Sequence, residues 1–153
     1  MADLTHPSPN HNDRRGKDVQ VIVLHCDASP KESGTVSWIQ SSRSKVSYHV
    51  LIGRMGEVYR FVPYDRRAWH SGSAEWNGEK DVNGIAVGLC FANKNDGKEP
   101  LTKPQILAMQ DLILEVRTRY GNLPVTTHTR VARPAGRKND PENAPGFRLE
   151  DYQ

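Results

Sequence analysis

The chain has 153 residues, 36% of them hydrophobic, enough for one domain around one core and hardly enough for two. Its net charge of +3 comes from 21 Lys and Arg interleaved with 18 Asp and Glu, so no basic stripe marks a nucleic-acid reader. No run approaches the roughly 18 apolar residues of a membrane span, so no membrane insertion is expected.

In chain order, residues 1–18 are rich in Pro, Asn, Asp and Arg and read as an N-terminal arm, mobile or laid down as an irregular cover. The segment has no apolar stretch of the secretory kind, so the chain is expected to be made and kept in the cytosol. His6 and His11 in this arm are expected to be solvated. The remainder, 19–153, forms the single domain. It opens with "VQVIVLHC", a continuous apolar run of the sort that makes a strand buried on both faces, ending near His25. A short helix is expected from Thr35 to about Ser42, with Trp38 facing the core. "VSYHVLIG" and "VYRFV", joined by "RMGE", read as a hairpin. Residues 63–83 form a loop too long for so small a domain unless it has a function, and it carries Trp69 and Trp76.

"GIAVGLCFA" is a second buried strand. After it, Thr102 and Gln105 match a capping box with Pro104 in the first turn. Ile106, Met109, Ile113, Val116 and Tyr120 then mark one helical face. "LPVTTH" is a last strand ending at His128. The order β-α-β-β-β-α-β predicts an α/β fold, a mixed central β-sheet flanked by α-helices. Cys26 and Cys90 both lie in apolar runs and read as buried free thiols.

His25 and His128 each end an apolar strand, and in open sheets such ends converge on the site crevice. A carboxylate from a following loop would complete a three-ligand zinc site with a fourth position open. Asp140 is the carboxylate offered by "THTRVARPAGRKNDP", whose prolines and glycine rule out one regular helix. On spacing alone, structural histidines at the strand ends remain the commoner reading.

Four segments, "VIVLHCDASP", "VSYHVLIGRMGEVYRFVPYDRRAWHSG", "NGIAVGLCFAN" and "THTRVARPAGRKNDP", occur in the order and spacing of the type 2 N-acetylmuramoyl-L-alanine amidases. The chain resembles that zinc family over roughly residues 19 to 152. The resemblance implies one Zn²⁺ held by His25, His128 and Asp140 in a cleft at the strand ends. It also implies a Lys138 that supports the oxyanion and a Tyr48 that orients water or the scissile carbonyl. Trp69 and His70, in the long loop, are candidates to contact a sugar ring, or else to anchor the loop. His49 reads as structural, and Trp76 as a residue of the cleft rim. The Arg66–Arg67 and Arg130/Arg133/Arg137 groups read as solvated faces that can also meet peptide carboxylates.

The implied reaction is hydrolysis of the bond between muramic acid and L-alanine, with peptidoglycan or a muropeptide as the partner and the protein a monomer. Compact size and Tyr48 favour a single-domain phage-type endolysin, released from the cytosol by a holin. The alternative is a cytosolic enzyme that recycles anhydro-muropeptides. That branch shares "VPYDRRAWHSG" and the Asp140 ligand but places a glutamate in the strand matching "IAVGLCF", where about Gly88 stands here. A non-catalytic peptidoglycan-binding module is the remaining reading, and a missing ligand would be its mark.

Overall fold

The strand run AVGLCFA alternates small and large side chains, and that alternation sets up the two faces of the sheet. In the computed structural model, which describes residues 3–153, it forms β6 (Ala86–Phe91) and is buried at every position. The large residues Val87, Leu89 and Phe91 point to one side, where they meet Ile22 and Leu24 of β2 (Val21–Cys26) and Val50 and Ile52 of β3 (Val50–Ile52). The helix α3 (Lys103–Tyr120) closes this side with Met109, Leu112, Ile113 and Val116. Each such side chain removed from water contributes about 1.5–3 kcal/mol. The small residues Ala86, Gly88, Cys90 and Ala92 point to the other side and leave room above the sheet for bulky groups.

The five strands run in the order β4-β3-β6-β2-β7, with β4 Val58–Arg60 and β7 Val125–Thr127 at the edges. β3, β6, β2 and β7 are parallel, and β4 alone is antiparallel, so the sheet is mixed as the sequence predicts. The hairpin register pairs Val50 with Arg60 and Ile52 with Val58. A separate two-stranded pair joins β1 (His11–Asn12) to β5 (Arg67–Ala68). Short helices α2 (Val82–Ile85) and α4 (His128–Val131) and a C-terminal 3₁₀ turn, Leu149–Tyr152, complete the described residues. None of the helices is long and apolar enough to cross a membrane.

The predicted capping box at the start of α3 is present. The Thr102 hydroxyl accepts the Gln105 N–H at 3.2 Å, and Gln105 accepts the Thr102 N–H at 3.1 Å. Gln105 also donates to the carbonyls of Ile52 and Ala92, tying the helix start to β3 and β6. Its buried face runs through Gln105 and Leu112, while Ile106 and Tyr120 sit at its edge.

The first long helix, α1, spans Glu32–Gln40 rather than starting at Thr35. Thr35 is buried mid-helix and donates its hydroxyl to Asp27 at 2.6 Å, a tertiary bond in place of a cap. Trp38 corrects the sequence reading: it is 56% exposed, because Ile39 is the residue that faces the core from this turn.

Residues 3–18 lie against the domain as a cover; residues 1 and 2 fall outside the described part. Asn10 donates to the carbonyls of Ile39, Ser41 and Val46, and pairing of β1 with β5 holds the next residues. Arg14 is buried, its two terminal guanidinium nitrogens donating to the carbonyls of Tyr64, Asn83, Gly84 and Ala86 while its Nε has no partner among the described residues. His11 is consequently not free in solvent but accepts a bond from Arg66 at 3.3 Å, and His6 stacks edge-on against Tyr59.

Candidate metal centre

Parallel pairing of β2 with β7 places Leu24 opposite Thr127. The next residue on each chain is His25 and His128, so the strand register itself delivers two imidazoles side by side. A slip of one residue would turn one of them to the other face of the sheet. His128 does not end the strand as expected. It is the first residue of α4, with the Thr127 hydroxyl accepting the Arg130 N–H at 3.2 Å as the cap. That turn lifts the His128 ring back over the site.

Asp140 arrives from the loop that follows α4. Its main-chain carbonyl accepts both the N–H and the hydroxyl of Thr129 at 2.9 Å, which pins it one residue from His128. Its carboxylate accepts the Cys26 N–H at 3.1 Å, which pins it beside His25. The Nδ1 atoms of His25 and His128 lie 3.2 Å apart. The Asp140 carboxylate is 3.1 Å from His128 Nδ1 and 3.6 Å from His25 Nδ1.

These spacings test whether the residues fit a metal. Ligand bonds of about 2.0–2.2 Å in a tetrahedron require donor atoms about 3.3–3.6 Å apart. The three donors, at 3.1, 3.2 and 3.6 Å, come close to that edge, and among the described residues they are the cluster able to hold an ion. The tautomers fit as well. His128 Nε2 donates to the Ser71 carbonyl at 3.0 Å, which leaves a lone pair on Nδ1 facing the other two donors. Burial, with the neighbouring His128, draws the His25 pKa down to about 4, so its imidazole is neutral and able to donate a lone pair near neutrality. Burial alone would raise the Asp140 carboxyl, but hydrogen bonding and charge from the His128 and His25 imidazoles, when these carry a proton, outweigh it and hold the group far below the ordinary carboxylate range, so Asp140 is the member of the cluster that stays charged. Two neutral imidazoles and one carboxylate suit a divalent cation.

His128 and Asp140 line an open cleft of about 680 Å³, with His25 fully buried behind them. Tyr48 and Trp69 line it, and Lys138 stands on its rim. The Tyr48 ring lies 5.1 Å from that of His25, and burial beside the Cys90 thiol keeps its hydroxyl protonated well past the usual tyrosine range. Trp69 is anchored through its indole N–H to Asn12 at 3.0 Å while its ring forms part of the wall. His70 also borders the cleft but is only 5% exposed there, with its Nδ1 turned to His25 Nε2 at 2.9 Å. Trp76 packs on the cluster of Val21, Val23 and Val82, away from the cleft. His49 is fully buried, accepting the Gly88 N–H and donating to the Arg66 carbonyl.

The β6 residue abreast of His25 is Cys90, two positions beyond Gly88. Gly88 is filled from above: a Cβ there would lie 2.6 Å from Cγ of His70. Sequence reasoning also missed Ser71 and Asn83. Asn83 accepts the N–H groups of His70 and Ser71 at 3.1 and 2.8 Å, which fixes the long loop over the site. Main-chain acceptors and loop clamps of this sort leave no pattern in sequence. The arginines divide. Arg67 pairs with Asp81 and Arg130 with Glu142, whereas Arg137 binds the carbonyls of Ser71 and Ser73 at the cleft.

Comparison with known proteins agrees with this geometry. A family profile described as N-acetylmuramoyl-L-alanine amidase matches residues 15–143. The 1,6-anhydro-N-acetylmuramyl-L-alanine amidase AmpD of Salmonella typhimurium (strain SL1344) is 33% identical over 169 aligned positions, covering 93% of this chain and 86% of the relative. Among solved structures, a selenomethionine AmpD superposes with a TM-score of 0.76 at 24% identity, covering 99% of this chain and 97% of that one. The endolysin amidase LysCS of Clostridium intestinale superposes with a TM-score of 0.64 at 18% identity, covering 99% and 90%. Those two structures share the fold, while the profile and the 33% identical relative carry the kinship. The chain belongs to the type 2 N-acetylmuramoyl-L-alanine amidase family and is an amidase.

Proposed function

We propose that this amidase is zinc-dependent and acts on small 1,6-anhydro-muropeptides, cleaving the bond between the muramyl lactyl group and L-alanine. The observation that carries the substrate is the identity along nearly the whole chain with an anhydro-muramyl amidase, set against an endolysin likeness that extends to the fold alone. This reading replaces the expected lytic role, places the enzyme in the cytosol and needs no holin. A muropeptide complex is known for one similar structure, an Escherichia coli amidase described with anhydro-N-acetylmuramic acid-L-Ala-D-gamma-Glu-L-Lys.

His25, His128 and Asp140 would hold the zinc, which supplies a water acidified to near neutrality and an electrophile for the carbonyl. The chain's own groups do the rest. Lys138, on the cleft rim, carries an ammonium that receives the charge developing on the carbonyl oxygen. Tyr48 keeps its proton and so acts as a hydrogen-bond donor toward the carbonyl or the attacking water. Trp69 gives the sugar a flat apolar wall. The only carboxylic acids lining the cleft, among the described residues, are Asp27 and Asp140. Asp27 is occupied by Thr35, Asn93 and Ser29, so the proton for the leaving amine comes from Tyr48 or from solvent.

The test is to offer the zinc-loaded protein purified sacculi and anhydro-muropeptides, and to score free L-alanine amino termini by mass spectrometry with and without a chelator. Chelator-sensitive cleavage of the small muropeptides, with sacculi left largely intact, is the expected result. Comparable release from sacculi would restore the lytic reading. Binding of either substrate without cleavage, at full zinc occupancy, would make the protein a recognition module.

A further inference from the structure

We propose that His70 is a positioning residue for the metal centre: its Nδ1 accepts the Nε2–H of His25 and so turns the His25 Nδ1 lone pair toward the ion. The inference rests on the metal-site reading above and assigns a role to a residue outside the three-donor group.

Three observations carry it. First, His70 Nδ1 lies 2.9 Å from His25 Nε2 and 3.0 Å from the Ser71 hydroxyl. A metal held by His25 Nδ1 requires the His25 proton on Nε2, so His70 Nδ1 accepts that bond, and the rotatable Ser71 hydroxyl, which has no other partner among the described hydrogen bonds, turns its proton to the same nitrogen. In this arrangement His25 Nδ1 faces His128 and Asp140 bare. The opposite arrangement, with the proton on His25 Nδ1, would block the one atom the metal needs.

Second, the ring is placed and not merely packed. Asn83 holds the His70 and Ser71 N–H groups, and Gly88 provides a slot beneath the imidazole. A Cβ at position 88 would fall 2.6–2.8 Å from Cγ, Cδ2 and Nδ1 of that ring, closer than side-chain carbons approach. Glycine at 88 is therefore the partner of His70, and it explains why this strand position holds no side chain.

Third, the other ring nitrogen, His70 Nε2, is buried without a hydrogen-bond partner. A buried polar atom left unpaired weakens the fold. An apolar side chain would fill the same slot without that penalty, so what distinguishes histidine here is the acceptor at Nδ1. The two histidines are paralleled by the pair on the other side, where the Ser71 carbonyl sets His128. Residues 70 and 71 thus orient both imidazole ligands from one stretch of loop.

The test compares wild type with His70→Ala, His70→Asn and Gly88→Ala. Asparagine puts an amide oxygen near the place of Nδ1, so it keeps the acceptor and discards the ring. Zinc dissociation constants are measured on the metal-free proteins by competition with a chromophoric chelator, alongside thermal unfolding without metal. The visible spectrum of the cobalt(II)-loaded proteins reports the ligand geometry independently of turnover. His70→Ala is expected to weaken zinc binding about 10- to 100-fold and to alter the cobalt spectrum. His70→Asn should recover most of both, and Gly88→Ala, which displaces the ring, should follow the alanine variant. Wild-type affinity and an unchanged cobalt spectrum in a folded His70→Ala or Gly88→Ala protein would overturn the assignment. So would an asparagine variant no better than the alanine one. Failure of the wild type itself to take up one equivalent of zinc would overturn the metal-site reading, and this inference with it.

Discussion

Acidification should destabilise the fold through His49, a residue with no part in the chemistry. The side chain is fully buried, its Nδ1 accepting the Gly88 N–H at 3.0 Å and its Nε2 donating to the Arg66 carbonyl at 2.8 Å. Burial, and then the nearby Arg14 guanidinium, lower its pKa from 6.5 to about 3. The unfolded chain takes up a proton at the ordinary value, while the folded chain stays neutral. Between those two values the unfolded state binds more protons, so stability rises with pH there and is lost as pH falls. From pH 7.5 to pH 5 the linkage relation gives a loss of about 2 kcal/mol from this one side chain. The figure depends little on the folded value, because pH 5 still lies above it. The assay is urea unfolding of the metal-free protein at both pH values, for wild type and His49→Gln. The amide of glutamine reaches the Arg66 carbonyl but does not titrate. The variant is weaker overall, by about 1–3 kcal/mol for the unpaired Gly88 N–H, yet its stability should fall about 2 kcal/mol less than wild type between the two pH values. Equal losses in the two proteins would refute the reasoning.

Asp140→Ala should lose stoichiometric zinc and activity together, whereas Lys138→Ala should keep the metal and lose about 10²–10³ in kcat; metal analysis alongside steady-state kinetics separates them. Thr102→Ala removes the α3 cap and a bond to the Arg54 carbonyl, and should cost about 1–2 kcal/mol in urea unfolding. Trp38→Ala, by contrast, should stay within about 0.5 kcal/mol of wild type, since a core tryptophan would cost several times as much. Chelation should abolish turnover but leave the far-ultraviolet circular dichroism and a cooperative unfolding transition in place, with a melting temperature lowered only by the loss of the bound ion.

Much of the architecture is legible in the sequence because it rests on local signals. The buried strands β2 and β6 announce themselves as unbroken apolar runs, and the α3 capping box is written in Thr102 and Gln105. What escapes is set by partners distant in sequence. Trp38 looks like a core residue until the phase of α1 is known, and Ile39 then takes the inward position. Arg14 and Asn10 look like parts of a solvated arm, yet they are held by carbonyls thirty to seventy residues away. His70 reads as a loop aromatic in reach of a sugar, and only the glycine slot beneath it reveals that the ring is spoken for by His25. Of the three proposed ligands, His25 and His128 are visible as strand-end residues and Asp140 as a loop carboxylate, but the atoms beside the two imidazoles, a main-chain carbonyl and a second histidine, have no spacing rule.

The chelation prediction follows from how the donors are held. In small zinc modules the ion supplies the folding free energy, because nothing else brings the ligands together. Here each proposed ligand is already tied by bonds that do not involve the others' side chains. His25 lies within β2, between two neighbouring strands, and His128 is set by the register of β2 against β7 and by the Thr127 cap. Asp140 is fixed through Thr129 and the Cys26 N–H. The hydrophobic layer that stabilises this framework lies on the opposite side of the sheet, between Leu24, Leu89 and Phe91 and the helix α3. On the proposed zinc reading, an ion would therefore not be needed to assemble the site. Because the donors wait at near-tetrahedral spacing, little reorganisation opposes binding, and the affinity can serve to activate water at an open position. The same separation explains why the residues above β6 are free to be small: stability is secured by the large side chains of the strand, and the small ones leave the space in which Tyr48, His70 and His25 are arranged.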